Sequence, residues 1–309
     1  MPRLEQGENL RGLPARDKVQ VYSKMPPSDF ISVVVTTYNR SDALAAVVHG
    51  LNQQSDRNFE IVVADDGSTE AHQAVVRDVL QASALPAAHV WHPDIGFTAS
   101  CVRNRGAGEA RGAYLIFLDG DCVPEQDFIA RHRALRAQGC FVNGSRVMLS
   151  PAMTQDVIAG RVEISGRSGG FWLGQRLRGR ASKATGRIRL PAQLSLRRQP
   201  AFIWKGIRSC NMGVWRSDFE TVNGFDESFV GWGHEDADFV LRLHNAGLCR
   251  INGFGATEVY HLWHRESSRS AESVNAARVR ERMATQQVLP TFGYRQSQGG
   301  SDVRVSRWR

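Results

Sequence analysis

The chain has 309 residues, of which 42% are hydrophobic and 23% charged, a composition that fits a globular protein with a sizeable core and argues against a disordered chain. Its length suits one large α/β domain with an appended subdomain as well as two domains. No apolar run approaches the roughly 18 residues of a membrane span, and residues 1–29 hold no apolar signal-peptide core, so a cytoplasmic protein is expected.

The net charge of +8 points to an acidic partner: nucleic acid, an anionic membrane surface or a phosphorylated substrate. The excess is concentrated. Between Arg161 and Pro200 stand nine arginines and Lys183 against one acid, Glu163. This run reads either as a solvated basic loop or as a binding surface. Its only aromatics are Phe171 and Trp172, so stacking on nucleic-acid bases is not expected. The five cysteines are odd in number and form no CxxC pair, which predicts reduced thiols.

In chain order, residues 1–29 read as an extension. "ISVVVTTYN" (31–39) is a continuous β-branched run, the pattern of a strand buried on both faces. Ser41 is the expected N-cap of a helix reaching about Gln53. "FEIVVADDGS" (59–68) is a second strand, followed by a helix from about Glu70. "AAHVWH" (87–92) is a third strand, 98–110 a helix, and "AYLIFLDGD" (113–121) a fourth strand before a helix near Gln126. Strands alternating with helices predict βαβ crossovers and a mostly parallel sheet. The region 150–205, rich in Gly, Arg and Ser, gives no clear pattern. Beyond it come a strand over 210–216, a Gly/Trp turn entering a helix that Gly247 ends, and strand-like material over 249–264. A helix around 270–287 precedes a tail.

In parallel sheets, ligands bind beyond the carboxyl ends of the strands. Thr36, Thr37, Tyr38, Asp65, Asp66, Asp119 and Asp121 stand at those ends. Asp119 and Asp121 alternate around Gly120, so both carboxylates can face one point while the glycine lets the backbone come close. Such a pair suits Mg²⁺ or Mn²⁺ held together with substrate phosphates; an isolated pair equally suits a strand-exit turn. Asp65 and Asp66 could accept from a base or ribose, or cap the next helix. No GxGxxG or GxxxxGK[ST] loop is present, which disfavours a dehydrogenase or P-loop enzyme. Glu235 and Asp236 sit where a helix N-terminus favours their ionised form, so one could act as a general base toward a sugar hydroxyl. Trp232 offers a flat face for a sugar ring or for packing. His261 and His264 could complete a metal site.

Together "VVVTTYNR", "IVVADDGS", "RNRGAGEARGAYLIFLDGD" and "GFDESFVGWGHEDADFVLRLHNAG" resemble the family-2 glycosyltransferases of GT-A fold. The last segment is similar to the galactosyltransferase-type C-terminal region of β-1,4-galactosyltransferases, polypeptide N-acetylgalactosaminyltransferases and bacterial chondroitin polymerase. The resemblance covers about 31–265 and is weak over 145–205. It implies a Rossmann-like, mostly parallel central sheet flanked by helices, with a smaller acceptor-side C-terminal subdomain. The implied division is an extension (1–29), a nucleotide-sugar-binding half (30–145), a basic insert (146–205), an acceptor and catalytic half (206–268) and a C-terminal helix and tail (269–309).

The resemblance also implies roles. Thr36, Tyr38, Arg40, Asp66, Arg103, Asn104, Asp119 and Gly120 would shape the nucleotide-sugar pocket. Asp121, with Asp119, His261 and His264, would hold Mn²⁺ or Mg²⁺. Asp236 would be the catalytic base with Glu235 beside it, and Trp232 and Gly233 would meet donor sugar or acceptor. His234 replaces a small residue of the family's "GWGGED" pattern, which bears on donor choice. The implied partners are a UDP-sugar and a glycan or lipid-linked acceptor, with peripheral contact at an anionic inner membrane face and no nucleic acid. A non-catalytic sugar-binding relative would be expected to lose the DxD or Asp236, and both are present. A nucleotidyltransferase forming NDP-sugars would show a Gly-rich basic loop where "TTYNRSD" stands.

Overall fold

A computed structural model of the chain describes residues 29–185, 188–265, 270–298 and 302–309. Apart from Asp29, the expected N-terminal extension lies outside the described residues. The first half runs β1 (Ile31–Thr37), α1 (Ser41–Asn52), β2 (Phe59–Asp65), α2 (Glu70–Gln81), β3 (Ala87–Trp91), α3 (Ala99–Glu109), β4 (Tyr114–Asp119), β5 (Cys122–Pro124) and α4 (Phe128–Leu135). Then come β6 (Cys140–Asn143), β7 (Ser145–Met148), α5 (Pro151–Ile158), α6 (Gly169–Leu177), β8 (Arg198–Gln199), β9 (Asn211–Trp215) and α7 (Arg216–Thr221). The chain continues through α8 (Glu235–Asn245), β10 (Cys249–Asn252), β11 (Glu258–His261), α9 (Glu272–Met283), α10 (Tyr294–Ser297) and β12 (Arg304–Trp308).

A nine-stranded sheet has the order β12-β3-β2-β1-β4-β9-β6-β10-β8. Within it β3, β2, β1 and β4 are parallel, while β9 runs antiparallel to β4 and β6. The β-branched run of β1 is explained by its place. Val33 and Val35 pack into the core on one face of the sheet and Val34 into the core on the other. Both faces are dry, so no polar alternation is tolerated. β1 has β2 on one side and β4 on the other, so the strand order reverses there and a crevice opens at the carboxyl ends. Thr36 is in register with Asp119 at that crevice.

A smaller sheet, β5-β11-β7, stands just past the crevice. The strand-like material expected over 249–264 forms two strands in two sheets: β10 pairs with β6, and β11 lies between β5 and β7. Gly255, at a φ of 66°, serves the turn that redirects the chain between them.

Four expectations are corrected. Ser41 is the first residue of α1, not its cap, and its hydroxyl bonds His72 Nδ1 at 2.8 Å. The expected tail contains β12, which pairs antiparallel with β3; Arg304 lies 3.7 Å from the Trp91 ring centroid, and Arg307 pairs with Glu109. Cys140 and Cys249 face each other on adjacent parallel strands and form a disulfide, where reduced thiols were expected. Finally, the basic run, read as a solvated loop or a binding surface, is partly tied into the fold, although Arg161, Arg167, Arg176, Arg178 and Arg198 are exposed. Arg161 and Arg180 pair with Asp156, Arg189 pairs with Asp127, and buried Arg197 donates to the carbonyls of Leu190, Pro191, Asn252 and Phe254.

Candidate active site

The DxD segment is placed by backbone bonds. Gly120 N donates to Thr36 O at 2.7 Å, and a Cβ on Gly120 would stand 2.6 Å from that oxygen. Only glycine lets the turn lie this close to the end of β1. Asp119 N donates to Cys210 O, and Leu262 N donates to Asp121 O at 2.8 Å. The second bond ties Asp121 to the turn that carries both histidines.

Asp121, His261 and His264 converge: one ligand atom from each lies within 4.8 Å of the others. His264 Nε2 is 3.2 Å from Asp121 Oδ2, and His261 Nε2 is 3.6 Å from Asp121 Oδ1. His264 Nδ1 lies 2.9 Å from Arg265 O and donates to it, which turns Nε2 toward Asp121. Burial pushes the Asp121 carboxyl up and the His261 imidazole down, toward its neutral form. One carboxylate and two imidazoles form a donor set suited to Mn²⁺. Asp119 stands apart from the three. Its Oδ1 accepts from Thr36 Oγ1 and from Arg103 Nη2, each at 3.1 Å.

Arg103 joins the two halves of the rim. Its side chain, from α3, is 5% exposed and donates to Asp119 and to Glu235 Oε1, both at 3.1 Å. Glu235 opens α8 and is buried; Asp236 beside it is half-buried. The turn before them needs unusual backbone, with φ of 77° at Gly231, 104° at Gly233 and 71° at His234. Ser209 N donates to Asp236 Oδ2 at 3.3 Å, and Ala237 N lies 2.8 Å from Oδ1. Burial raises both carboxyls; proximity of Asp236 raises Glu235 further, while Arg103 opposes the rise in each.

The other rim residues have more occupied surroundings. Asp66 accepts from Thr98 N at 2.9 Å and from Thr98 Oγ1, and lies 3.2 Å from His92 Nε2. Tyr38 is exposed and donates to Asp94 Oδ2 at 2.8 Å; Arg40 pairs with Asp42. Trp232 is half-buried within the 231–234 turn. Asn104 is fully buried, its amide donating to Phe225 O and Glu227 Oε1 and its oxygen accepting from Phe225 N, and so braces the turn ahead of Trp232.

Sequence reasoning missed Thr98, Ser209 and Arg146. Ser209 and Arg146 come from segments with no pattern of their own, and only the fold brings them to the rim. Asp238 also gains a role, a buried ion pair with Arg242 at 2.8 Å that Arg282 joins.

Residues 32–148 match the family model described as glycosyl transferase family 2, and residues 196–268 match that described as N-terminal domain of galactosyltransferase. Validoxylamine A glucosyltransferase of Streptomyces hygroscopicus subsp. jinggangensis is 31% identical over 228 residues, 71% of this chain and 52% of that protein. Chondroitin synthase of Escherichia coli is 28% identical over 256 residues, 75% of this chain and 34% of that protein. The chain spans about half the length of the curated relatives it matches first. Among solved structures, Staphylococcus aureus TarS aligns with a TM-score of 0.54 at 14% identity, covering 86% of this chain and 41% of that one. A Pyrobaculum calidifontis mannosyltransferase in complex with GDP-Man and Mn²⁺ aligns with a TM-score of 0.50 at 16% identity, covering 85% and 66%. These likenesses agree with the GT-A order of the central sheet. The chain belongs to the family-2 glycosyltransferases and carries their galactosyltransferase-type C-terminal region.

Proposed function

We propose that the protein is an inverting, metal-dependent glycosyltransferase that moves a Gal, GalNAc or GlcNAc unit from a UDP-sugar to a hydroxyl of a glycan or lipid-linked acceptor. The observation that carries this reading is one rim holding both a carboxylate–imidazole triad and a half-buried aspartate, joined through Asp119, Arg103 and Glu235. In this reading residues 30–145 are the donor half, 206–268 the acceptor and catalytic half, and 146–205 an insert. Thr36, Tyr38, Arg40, Asp66 and Gly120 shape the nucleotide side. Trp232 and Gly233 border the sugar.

Asp121, His261 and His264 would hold the cation, Mn²⁺ or Mg²⁺. When bound, it supplies positive charge to the diphosphate leaving group. Asp236 takes the proton of the acceptor hydroxyl as that oxygen bonds to the anomeric carbon. The bond from that carbon to the diphosphate oxygen breaks on the opposite face, so configuration inverts. A diphosphate needs no protonation to depart, which fits one essential base rather than the two carboxylates of a glycoside hydrolase. Ser209 N–H and the start of α8 hold the Asp236 carboxylate in place. Arg103 holds Glu235 fixed behind it and opposes the rise that burial and Asp236 impose on its carboxyl.

Peripheral contact with an anionic membrane is part of the proposal, and it narrows to α6. Leu173 and Leu177, one turn apart, are 53% and 80% exposed, while Trp172 of the same helix stacks on Tyr260. Arg176 and Arg178 flank that apolar stripe. Exposed leucines bordered by arginines suit a lipid interface.

A screen of NDP-sugars with Mn²⁺, reading donor hydrolysis and transfer, tests the whole reading. UDP-Gal, UDP-GalNAc or UDP-GlcNAc is expected to turn over, with an inverted product. Turnover of none of them, or synthesis of an NDP-sugar from a sugar phosphate and NTP, would overturn it.

A further inference from the structure

We infer that Arg304, on the C-terminal strand β12, is a positioning residue for nucleotide binding: through Gln73 and Trp91 it fixes Ser68, and so sets the loop 65–68 at the rim. That this loop meets a nucleotide rests on the glycosyltransferase reading; the hold on Ser68 does not.

Ser68 closes the turn that follows β2, and it is buried. Its N–H donates to Asp65 Oδ1 at 2.8 Å, and its Oγ accepts from Asn39 N at 2.9 Å. Asn39 directly follows Tyr38, and its own Oδ1 accepts from Thr69 N at 2.9 Å. Gly67, at a φ of 95°, lies so close to Asp94 that a Cβ there would collide with the Asp94 backbone. Asp94 in turn accepts from Tyr38 Oη. The loop is therefore the joint between Tyr38 and Asp66, two residues of the nucleotide side.

The Ser68 carbonyl takes two side-chain donors, Gln73 Nε2 at 2.7 Å and Trp91 Nε1 at 3.0 Å, which occupy both its lone pairs. Arg304 touches both donors. Its Nη2 donates to Gln73 Oε1 at 3.2 Å; a guanidinium can meet only the oxygen end of an amide, so the NH₂ end is left for Ser68. Its guanidinium carbon lies 3.7 Å from the Trp91 ring centroid, which fixes the plane from which the indole N–H points. Gln73 belongs to α2 and Trp91 to β3, and the residue that joins them comes 231 positions after Gln73. β12 is an edge strand whose one neighbour in the sheet is β3, so the grip on the loop depends on that pairing.

The test pairs amide hydrogen exchange of the ligand-free full chain with calorimetric UDP binding in Mn²⁺, for wild type, Arg304→Met and Arg304→Lys. Loss of a cation–π contact at an exposed arginine corresponds to about a two- to fivefold change. Arg304→Met is therefore expected to quicken exchange over 65–69, and to weaken UDP binding, by about that factor, while exchange over 235–245 at the other end of the rim stays unchanged. Arg304→Lys, which keeps a cation over Trp91, is expected to lie between the two. Equal exchange over 65–69 in Arg304→Met and wild type overturns the hold on Ser68. Quickened exchange there with unchanged UDP affinity overturns the positioning role, as does equal quickening over 235–245, which marks a general loss of stability. A wild-type chain that binds no UDP counts against the nucleotide reading of the loop, and exchange over 65–69 then still decides whether Arg304 holds Ser68.

Discussion

Replacing Arg103 by Met is expected to destabilise the fold. The Arg103 side chain is 5% exposed and neutralises two acids, Glu235 at 11% exposure and Asp119 at 31%. Removing one partner of a buried pair typically costs about 3–5 kcal/mol, because the remaining charge stays buried. Here the two acids differ. Asp119 can turn to water and still accept from Thr36, so it contributes the lesser part. Glu235 has neither escape, and Asp236 beside it adds repulsion. The expected loss is therefore at the lower end, about 3 kcal/mol, or roughly 5–10 °C in Tm for a chain of this size. Urea and thermal unfolding at neutral pH measure it. Adding Glu235→Gln to Arg103→Met should recover at least about 1 kcal/mol, since the buried carboxylate is then gone. A single-variant loss below about 1 kcal/mol, or no recovery in the double variant, would refute the view of Arg103 as the electrostatic link between the two sides of the rim.

Two other expectations follow from particular groups. His132 is buried, with Nε2 3.0 Å from Asn211 Oδ1, and burial lowers its pKa from 6.5 to about 4. Folding thus holds it neutral, so its contribution is complete above pH 6.5 and lost as pH falls toward 4, a decline of about 3 kcal/mol. Urea midpoints across that window should show the decline, and His132→Gln should flatten it; an unchanged slope in the variant would contradict the assignment. On α6, Leu173→Asp with Leu177→Asp should weaken binding to vesicles containing phosphatidylglycerol at least about tenfold without changing UDP binding, and equal sedimentation of both proteins with the vesicles would remove the membrane contact.

How much of this was legible beforehand depended on how local the signal was. β1, β2 and β4 announced themselves because strands buried on both faces must be apolar throughout, and their polar ends then marked the crevice. The histidines at 261 and 264 were visible as candidates, but their meeting with Asp121 depends on β11 pairing with β5, a contact between residues more than 130 positions apart in the chain. β12 was hidden because an edge strand reading Arg-Val-Ser-Arg-Trp is mostly exposed and looks like a polar tail. The Cys140–Cys249 disulfide, spanning 109 residues, follows from strand adjacency that cysteine spacing does not encode. In the 146–205 stretch the helices are short and irregular turns carry the arginines. Their pairing with Asp156 and Asp127 is tertiary, so charge counting overstated the free positive surface.

The most direct test of the central claim is the rate of sugar transfer by Asp236→Asn with Mn²⁺ and the nucleotide-sugar that the wild-type chain turns over in the donor screen. Asparagine keeps the shape and an oxygen for the Ser209 N–H but cannot take the acceptor proton, so kcat should fall by about 10²–10⁴ while UDP affinity stays unchanged. Transfer at close to the wild-type rate would contradict Asp236 as the base and, with it, the proposed displacement.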